Sequence, residues 1–260
     1  MKISDVTVYK VKPRWIFVKI STDEGIEGWG EMISGTKTET VVAGAYEIGN
    51  RLIGRNPFEI ERLFQEMHRS FFRGGPINGT IVSGLEMALW DIKGKAFNVP
   101  VYELLGGAAR DKIKVYSWIG GDRPSEVAEQ AQDRFDRGFT AVKMNATEEL
   151  HYIDSYQKVD EVVERVASIR ERFGDAMDIG VDFHGRVHKP MAKVLAKALE
   201  PFHPMFLEEV VLPENEEHFK EVADSVAVPL ATGERLYTRW QFKNLFKQGT
   251  VDIIQPDVAL

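Results

Sequence analysis

Residues 179–186 read Ile-Gly-Val-Asp-Phe-His-Gly-Arg, a short apolar run that ends abruptly in charged and titratable side chains. A buried strand with charged groups only at its carboxyl end is typical of an α/β barrel, where the core lies below and the loops lie above. Asp182 and His184 are two residues apart, so an extended backbone turns both to one face and Phe183 to the other. The pattern predicts a carboxylate and an imidazole in one pocket; the alternative is a solvated strand end with ordinary polar residues.

The same design recurs twice downstream. One apolar run ends in Glu208 and Glu209 and another ends in Glu234, and 26 residues separate Asp182 from Glu208 and Glu208 from Glu234. This interval suits one strand, one helix and two loops. Three carboxylates on successive parallel strands are therefore expected at one rim, where a hard divalent ion such as Mg²⁺ would neutralise them. Adjacent residues face opposite ways, so either glutamate of the pair could serve, and the even spacing favours Glu208.

Composition excludes several classes of protein. The chain has 260 residues, of which 43% are hydrophobic and 28% charged, with a formal net charge of −7. These values are typical of globular proteins, and the acidic balance argues against a general nucleic-acid binder. The lack of cysteine excludes disulfides, thiol catalysis and cysteine-ligated zinc, and it fits a reducing, cytoplasmic compartment. We expect neither a signal peptide nor a membrane span, since no apolar stretch is long enough.

Periodicity predicts two domains. Residues 1–112 show strand patterns followed by three helical patterns at 40–52, 57–71 and 80–97, which indicate an α+β capping domain. A phosphate-binding function of the glycines near residue 28 is not expected, because no helix follows them directly. Residues 113–260 alternate strand and helix, which indicates a parallel (β/α)8-type, TIM-like barrel. Six of eight strands are counted, so the barrel is expected to be incomplete in this chain.

Smaller features complete these predictions. We expect Trp90 and Trp118 in the core, and Ser125 as the cap of the helix that follows Pro124. Residues 73–76 are expected to form a loop between two helices of the first domain.

The ordered motifs resemble the enolase superfamily, in its mandelate racemase/muconate lactonizing enzyme branch, and the resemblance spans the whole chain. It implies that Asp182, Glu208 and Glu234 bind Mg²⁺ and that His184 is a general acid. Members of the superfamily remove the substrate proton with a Lys or His base beside Mg²⁺. The motifs that carry it are Lys-Met-Asn at 143–145, Asp-Phe-His-Gly-Arg at 182–186, Phe-Leu-Glu-Glu at 206–209, Gly-Glu-Arg at 233–235 and Gln-Pro-Asp at 255–257.

One departure concerns the base. Many members carry Lys-x-Lys, but Asn145 stands in the second position here and is expected to orient substrate instead. Lys143 would steady a substrate carboxylate, a surface lysine being the alternative, and Arg186 has a substrate-binding or a structural role. The resemblance also implies that Asp257 supports a basic histidine on the next strand, beyond Leu260.

The implied reaction is Mg²⁺-dependent dehydration of an acid sugar, which makes the protein a carbon–oxygen lyase. The α-proton leaves through a metal-stabilised ene-diolate and an acid assists loss of the 3-hydroxyl; D-galactonate, giving 2-dehydro-3-deoxy-D-galactonate, is the first substrate expected. The alternatives are another acid-sugar dehydratase, a racemase or cycloisomerase of the superfamily, or a non-catalytic fragment that lacks the base. The expected partners are the sugar acid and further copies of the chain in a homo-oligomer, with no nucleic acid and no membrane.

Overall fold

The structure, a computed structural model, describes residues 1–33, 35–69, 74–121 and 126–259. The predicted cap Ser125 and the first residue of the predicted loop, Arg73, lie outside the described residues. Two compact units are present, one formed by Met1–Asp111 with Asp257–Leu260 and the other by Lys112–Pro256.

The first unit contains an antiparallel sheet with helices packed on one face. Strand order is β1-β2-β3, and Ile16, Val18 and Ile20 on the middle strand are fully buried, as the two-residue period of a strand with one covered face requires. The predicted helix at 80–97 begins earlier, at Pro76, because proline is well suited to the first turn. The elements are β1 (Ile3–Val11), β2 (Trp15–Thr22), β3 (Glu27–Met32), α1 (Thr38–Gly49), the 3-10 turn Asn50–Leu52, α2 (Ile60–Arg69), α3 (Pro76–Phe97) and α4 (Val101–Leu104).

Two glycines of β3 allow α3 to approach its backbone. A Cβ added to Gly28 would lie 2.0 Å from the carbonyl oxygen of Ala88, and one added to Gly30 would lie 1.9 Å from that of Gly84. Real Cβ atoms do not approach backbone oxygens so closely. These glycines therefore serve helix packing.

We expect Gly30→Ala to lower the free energy of unfolding by about 1–3 kcal/mol, because the added methyl group forces strand and helix apart. Urea unfolding followed by circular dichroism measures this change. Gly74→Ala is the matched control, since its Cβ would meet only Asn78 Nδ2 at 3.9 Å. Equal stability of the two variants would show that the close approach does not constrain the first unit.

The second unit confirms the predicted α/β barrel class, with six parallel strands in the order β4 to β9 among the described residues. Each strand except the last is followed by a helix, and buried aliphatic side chains fill the space between sheet and helices. The elements are β4 (Ser117–Trp118), α5 (Val127–Asp136), β5 (Ala141–Asn145), α6 (Tyr156–Phe173), β6 (Asp178–Asp182), α7 (Lys189–Leu199), β7 (Phe206–Glu208), α8 (Phe219–Ala223), β8 (Leu230–Thr232), α9 (Arg239–Gln248), β9 (Ile253–Ile254) and the 3-10 turns Gly174–Ala176, Glu200–Phe202 and Pro213–His218.

Some sequence expectations need correction. The strands predicted at 115–119 and 252–257 shorten to two residues each, and each pairs with one neighbouring strand among the described residues. Trp118 is 40% exposed, so its assignment to the core is wrong. Trp90 packs against the core of the first unit, as predicted. None of the described helices is both long and apolar enough to cross a membrane.

Candidate active site

Strand register places the predicted residues in a row. Asn145 at the end of β5 pairs with Asp182 at the end of β6, which pairs with Glu208 at the end of β7. All three are at least 98% buried. Because neighbouring parallel strands end at the same edge, the row forms one continuous polar floor in the second unit.

Lys143 connects two carboxylates of this floor. Its Nζ lies 3.0 Å from Asp182 Oδ2 and 2.6 Å from Glu208 Oε2, and the Lys143 side chain is only 9% exposed. The surface-lysine alternative is therefore wrong. Burial alone would lower the pKa of Lys143, but attraction by Asp182 and Glu208 outweighs it and raises the pKa to about 12. The ammonium group thus stays charged at physiological pH.

Two aromatic rings lie near this ammonium group, and a glutamine binds one of its carboxylate partners. Lys143 Nζ lies 5.9 Å from the ring centroid of Tyr116 and 5.6 Å from that of Trp118, within cation–π range. Gln255 Nε2 donates a hydrogen bond of 2.9 Å to Glu208 Oε2. Sequence reasoning missed these three contacts. The i, i+2 spacing of Tyr116, just before β4, and Trp118, at its end, is the signal that could have placed the two rings on one side.

The structure separates the roles of the two adjacent glutamates. Glu209 has a φ of 47°, and its Oε1 accepts hydrogen bonds from Thr232 Oγ1 at 2.6 Å and from Gly233 N at 3.1 Å. Its Oε2 lies 3.4 Å from Arg235 Nε. Glu209 therefore organises the loop after β8, whereas Glu208 belongs to the polar floor, as the even spacing favours.

His184 reaches the site by a different route from the one predicted. Its φ is 55°, so the chain has left the extended conformation, and its N–H donates to Asp182 Oδ1 at 2.7 Å. The turn places His184 Nε2 3.9 Å from Glu234 Oε1. Arg235 Nη2 donates to the His184 carbonyl oxygen at 2.8 Å, which fixes this turn to the loop after β8.

Two further predicted residues are described by their local backbone contacts. Arg186 is half-buried in the turn after β6, where its N–H donates to the Phe183 carbonyl at 3.0 Å. Asp257 belongs to the first unit, and its Oδ1 accepts the N–H of Ala259 at 2.9 Å.

The site carries excess negative charge. Burial, and then the charges of Asp182, Glu209 and Glu208, raises the pKa of Glu234 to about 7 despite the opposing effect of Arg235. Burial and Asp182 likewise raise the pKa of Glu208. Among the described residues of this site there are two lysine and arginine side chains, Lys143 and Arg235. The carboxyl groups number four and belong to Asp182, Glu208, Glu209 and Glu234.

This donor set fits a hard divalent cation, because its oxygens are anionic and a cation would relieve their mutual repulsion. Asp182, Glu208 and Glu234 are the candidate ligands of such a cation. Their oxygens do not all lie within 4.8 Å of one another in the described part of the chain. Binding one ion thus requires side-chain shifts. Lys143 supplies part of the charge that neutralises Asp182 and Glu208.

We expect the free energy of unfolding to fall as pH rises from 4.5 to about 7 in a chelating buffer, through the contribution of Glu234. The carboxyl has the higher pKa in the folded state, so the folded state binds more protons within this window and loses that advantage above it. Urea unfolding at several pH values measures the slope, and Glu234→Gln should remove this contribution. An unchanged slope in the variant would show that Glu234 titrates normally.

Comparison with known proteins identifies the family of both parts of the chain. Residues 1–106 match the model of the mandelate racemase/muconate lactonizing enzyme N-terminal domain, and residues 126–260 match that of the enolase C-terminal domain-like family. D-galactonate dehydratases of Pectobacterium atrosepticum and Klebsiella pneumoniae are each 50% identical over 100% of this chain and 68% of their own length.

Solved structures give the same result. An enolase superfamily member from Salmonella Typhimurium has a TM-score of 0.92 at 30% identity, covering 99% of this chain and 74% of that one. An enolase from Agrobacterium radiobacter, with bound Na and L-malate, has a TM-score of 0.91 at 32% identity, covering 100% of this chain and 68% of that one. The predicted resemblance is confirmed: the chain belongs to the enolase superfamily, in its mandelate racemase/muconate lactonizing enzyme branch.

Proposed function

We propose that this protein is a Mg²⁺-dependent acid-sugar dehydratase, a hydro-lyase whose first substrate is D-galactonate. The observation that carries the proposal is the buried row of Asp182 and Glu208 with Lys143 between them and His184 at its edge. The relatives named D-galactonate dehydratase, 50% identical over the whole chain, support the choice of substrate. The related enolase with bound Na and L-malate contains a cation and a hydroxy acid, the two kinds of ligand that the proposal requires.

Asp182, Glu208 and Glu234 are the proposed ligands of the ion. When bound, Mg²⁺ supplies Lewis-acid stabilisation of the second negative charge that a carboxylate substrate acquires when its α-proton leaves.

Lys143 and Asn145 are proposed to bind the substrate. The ammonium group of Lys143 stays protonated, since its pKa is about 12, and it therefore attracts the substrate carboxylate without accepting the α-proton. Asn145 is 1% exposed at the end of β5, where a rigid amide suits orientation of a hydroxyl group. Arg186 is a further proposed substrate contact.

His184 is proposed to donate the proton that the departing 3-hydroxyl requires. The side chain is 32% exposed, so it can reach both a substrate and the solvent that reprotonates it. The turn bonded to Asp182 and Arg235 holds its backbone in place, and a fixed acid costs less to align in the transition state. Asp257 is proposed to support the base, which the resemblance places on the following strand.

Keto-acid formation by the full-length gene product tests this proposal, with Mg²⁺ and a panel of hexonates and pentonates. We expect a 2-keto-3-deoxy product from D-galactonate, with kcat/KM about 100-fold or more above its epimers, because a site built to hydrogen-bond each hydroxyl rejects a misplaced one. Chelation of the metal should abolish turnover.

A product that retains every hydroxyl would instead indicate a racemase or cycloisomerase. No keto acid from any member of the panel would refute the dehydratase proposal. Cytoplasmic location and homo-oligomeric assembly stay predictions from the sequence.

A further inference from the structure

A separate cluster of potential metal ligands lies where two loops of the second unit are joined. An isolated parallel bridge pairs Leu150, after β5, with Val187, after β6. Leu150 N donates to Arg186 O at 3.1 Å, and His188 N donates to Leu150 O at 2.9 Å. Leu150 and Val187 are fully buried, so the residues that flank them along each extended segment face outward.

The flanking residues on both segments offer nitrogen and oxygen ligands. His151 Nδ1 lies 3.5 Å from Glu149 Oε1, and His188 Nε2 lies 3.8 Å from the same oxygen. The three ligand atoms all lie within 4.8 Å of one another. Zinc with bonds of about 2.0–2.1 Å in a tetrahedral site places its ligands about 3.4 Å apart. Small side-chain rotations would therefore close this triad around an ion.

The environment of His188 supports a site that is already organised. The ring centroid of Tyr152 lies 4.3 Å from that of His188, which restricts rotation of the imidazole. The His188 side chain is 15% exposed, whereas the side chains of Glu149 and His151 are 59% and 62% exposed. The site is thus anchored on one side and open to solvent on the other, which leaves room for a water molecule as fourth ligand.

We propose that Glu149, His151 and His188 form an accessory binding site for a divalent transition-metal ion of the Zn²⁺ class. Two imidazoles and one carboxylate suit zinc and its neighbours, whereas Mg²⁺ prefers a shell of oxygens. The ion would join the loop after β5 to the segment 184–188, and would thereby restrict the turn that carries His184. The proposal does not depend on the proposed catalytic function, since the triad shares no residue with the polar floor or with the proposed Mg²⁺ ligands.

Titration of the 260-residue chain with Zn²⁺ in the presence of excess Mg²⁺ tests this site. Calorimetry should show one Zn²⁺ per chain, and replacement with Co²⁺ should give the visible absorption of a tetrahedral ion. We expect His151→Gln and His188→Gln each to weaken binding by about tenfold or more, because removing even an outer partner of a ligand costs 10–100-fold. His68→Gln, which alters a histidine stacked on Phe64 in the first unit, is the matched control and should bind normally.

Three results would overturn the proposal. No Zn²⁺ binding at all, or binding that His151→Gln leaves unchanged, would reduce the cluster to a surface pairing of histidine and glutamate. Loss of the ion in Glu234→Gln but not in His151→Gln would place the zinc among the carboxylates of the candidate active site. His151 is exposed, so its variant should keep the wild-type unfolding curve in chelator and remain interpretable.

Discussion

We expect His184→Asn to lower kcat for dehydration by about 10²–10⁴-fold, because the variant cannot donate a proton to the departing hydroxyl. Asparagine keeps a planar polar group at the position of Nδ1, and the turn should persist because its bonds to Asp182 and Arg235 are made by the backbone of residue 184. KM should change much less than kcat, since the lost interaction belongs to the transition state. Steady-state kinetics with the full-length protein and saturating Mg²⁺ measures both constants.

A second readout identifies the step at which His184 acts. Removal of the α-proton should continue in the variant, so substrate recovered from D₂O should still gain deuterium at the α-carbon. His218→Asn alters a histidine outside the site and should retain wild-type kcat. If deuterium incorporation and dehydration fell together, His184 would serve as the base or as a structural residue and not as the proposed acid.

Lys143→Met should lower the free energy of unfolding by about 3–5 kcal/mol in chelating buffer, because it leaves two buried carboxylates without their shared cation. Asp182 and Glu208 are 2% and 1% exposed, so water compensates their charges much less well than the ammonium group does. Mg²⁺ should restore part of the loss, with a gain of about 2.7 kcal/mol at 100 times its dissociation constant. Urea unfolding with and without Mg²⁺ measures both effects.

A surface lysine and a double variant make this result interpretable. Lys220 is exposed and pairs with Asp224. Its replacement by Met should lower the free energy of unfolding by no more than about 0.5 kcal/mol. Lys143→Met combined with Glu208→Gln should be more stable than Lys143→Met alone, because one unpaired charge is removed. If the double variant were the less stable, or if Lys143→Met unfolded like the wild type, charge pairing would not hold the polar floor together.

The order of strands and the positions of their polar ends could be predicted from local sequence. The apolar run before Asp182 and the interval of 26 residues to Glu208 placed both residues correctly at neighbouring strand ends. This works because side-chain direction in a strand follows a fixed two-residue period, and parallel strands of similar length end at one edge. The interval also distinguished Glu208 from Glu209, which no rule about a single strand can do.

Other features depend on backbone turns that the pattern does not encode. His184 was predicted on an extended strand, but its φ of 55° shows that the chain has already turned there. The exposure of Trp118 was missed because β4 has one hydrogen-bonded neighbour among the described strands, and a hydrophobic residue on such a strand is easily mistaken for a core residue.

By itself the sequence determined the class of fold, the carboxylates at successive strand ends and the family, since each rests on spacing along the chain and on side-chain type. Only the tertiary structure decided that Lys143 bridges Asp182 and Glu208, that Glu209 binds the loop after β8, and that Glu149 and His151 meet His188. Those contacts join residues far apart in the chain, and their distances depend on strand register and loop conformation. Register and loop conformation are set by the packing of the whole unit, which no local stretch of sequence specifies.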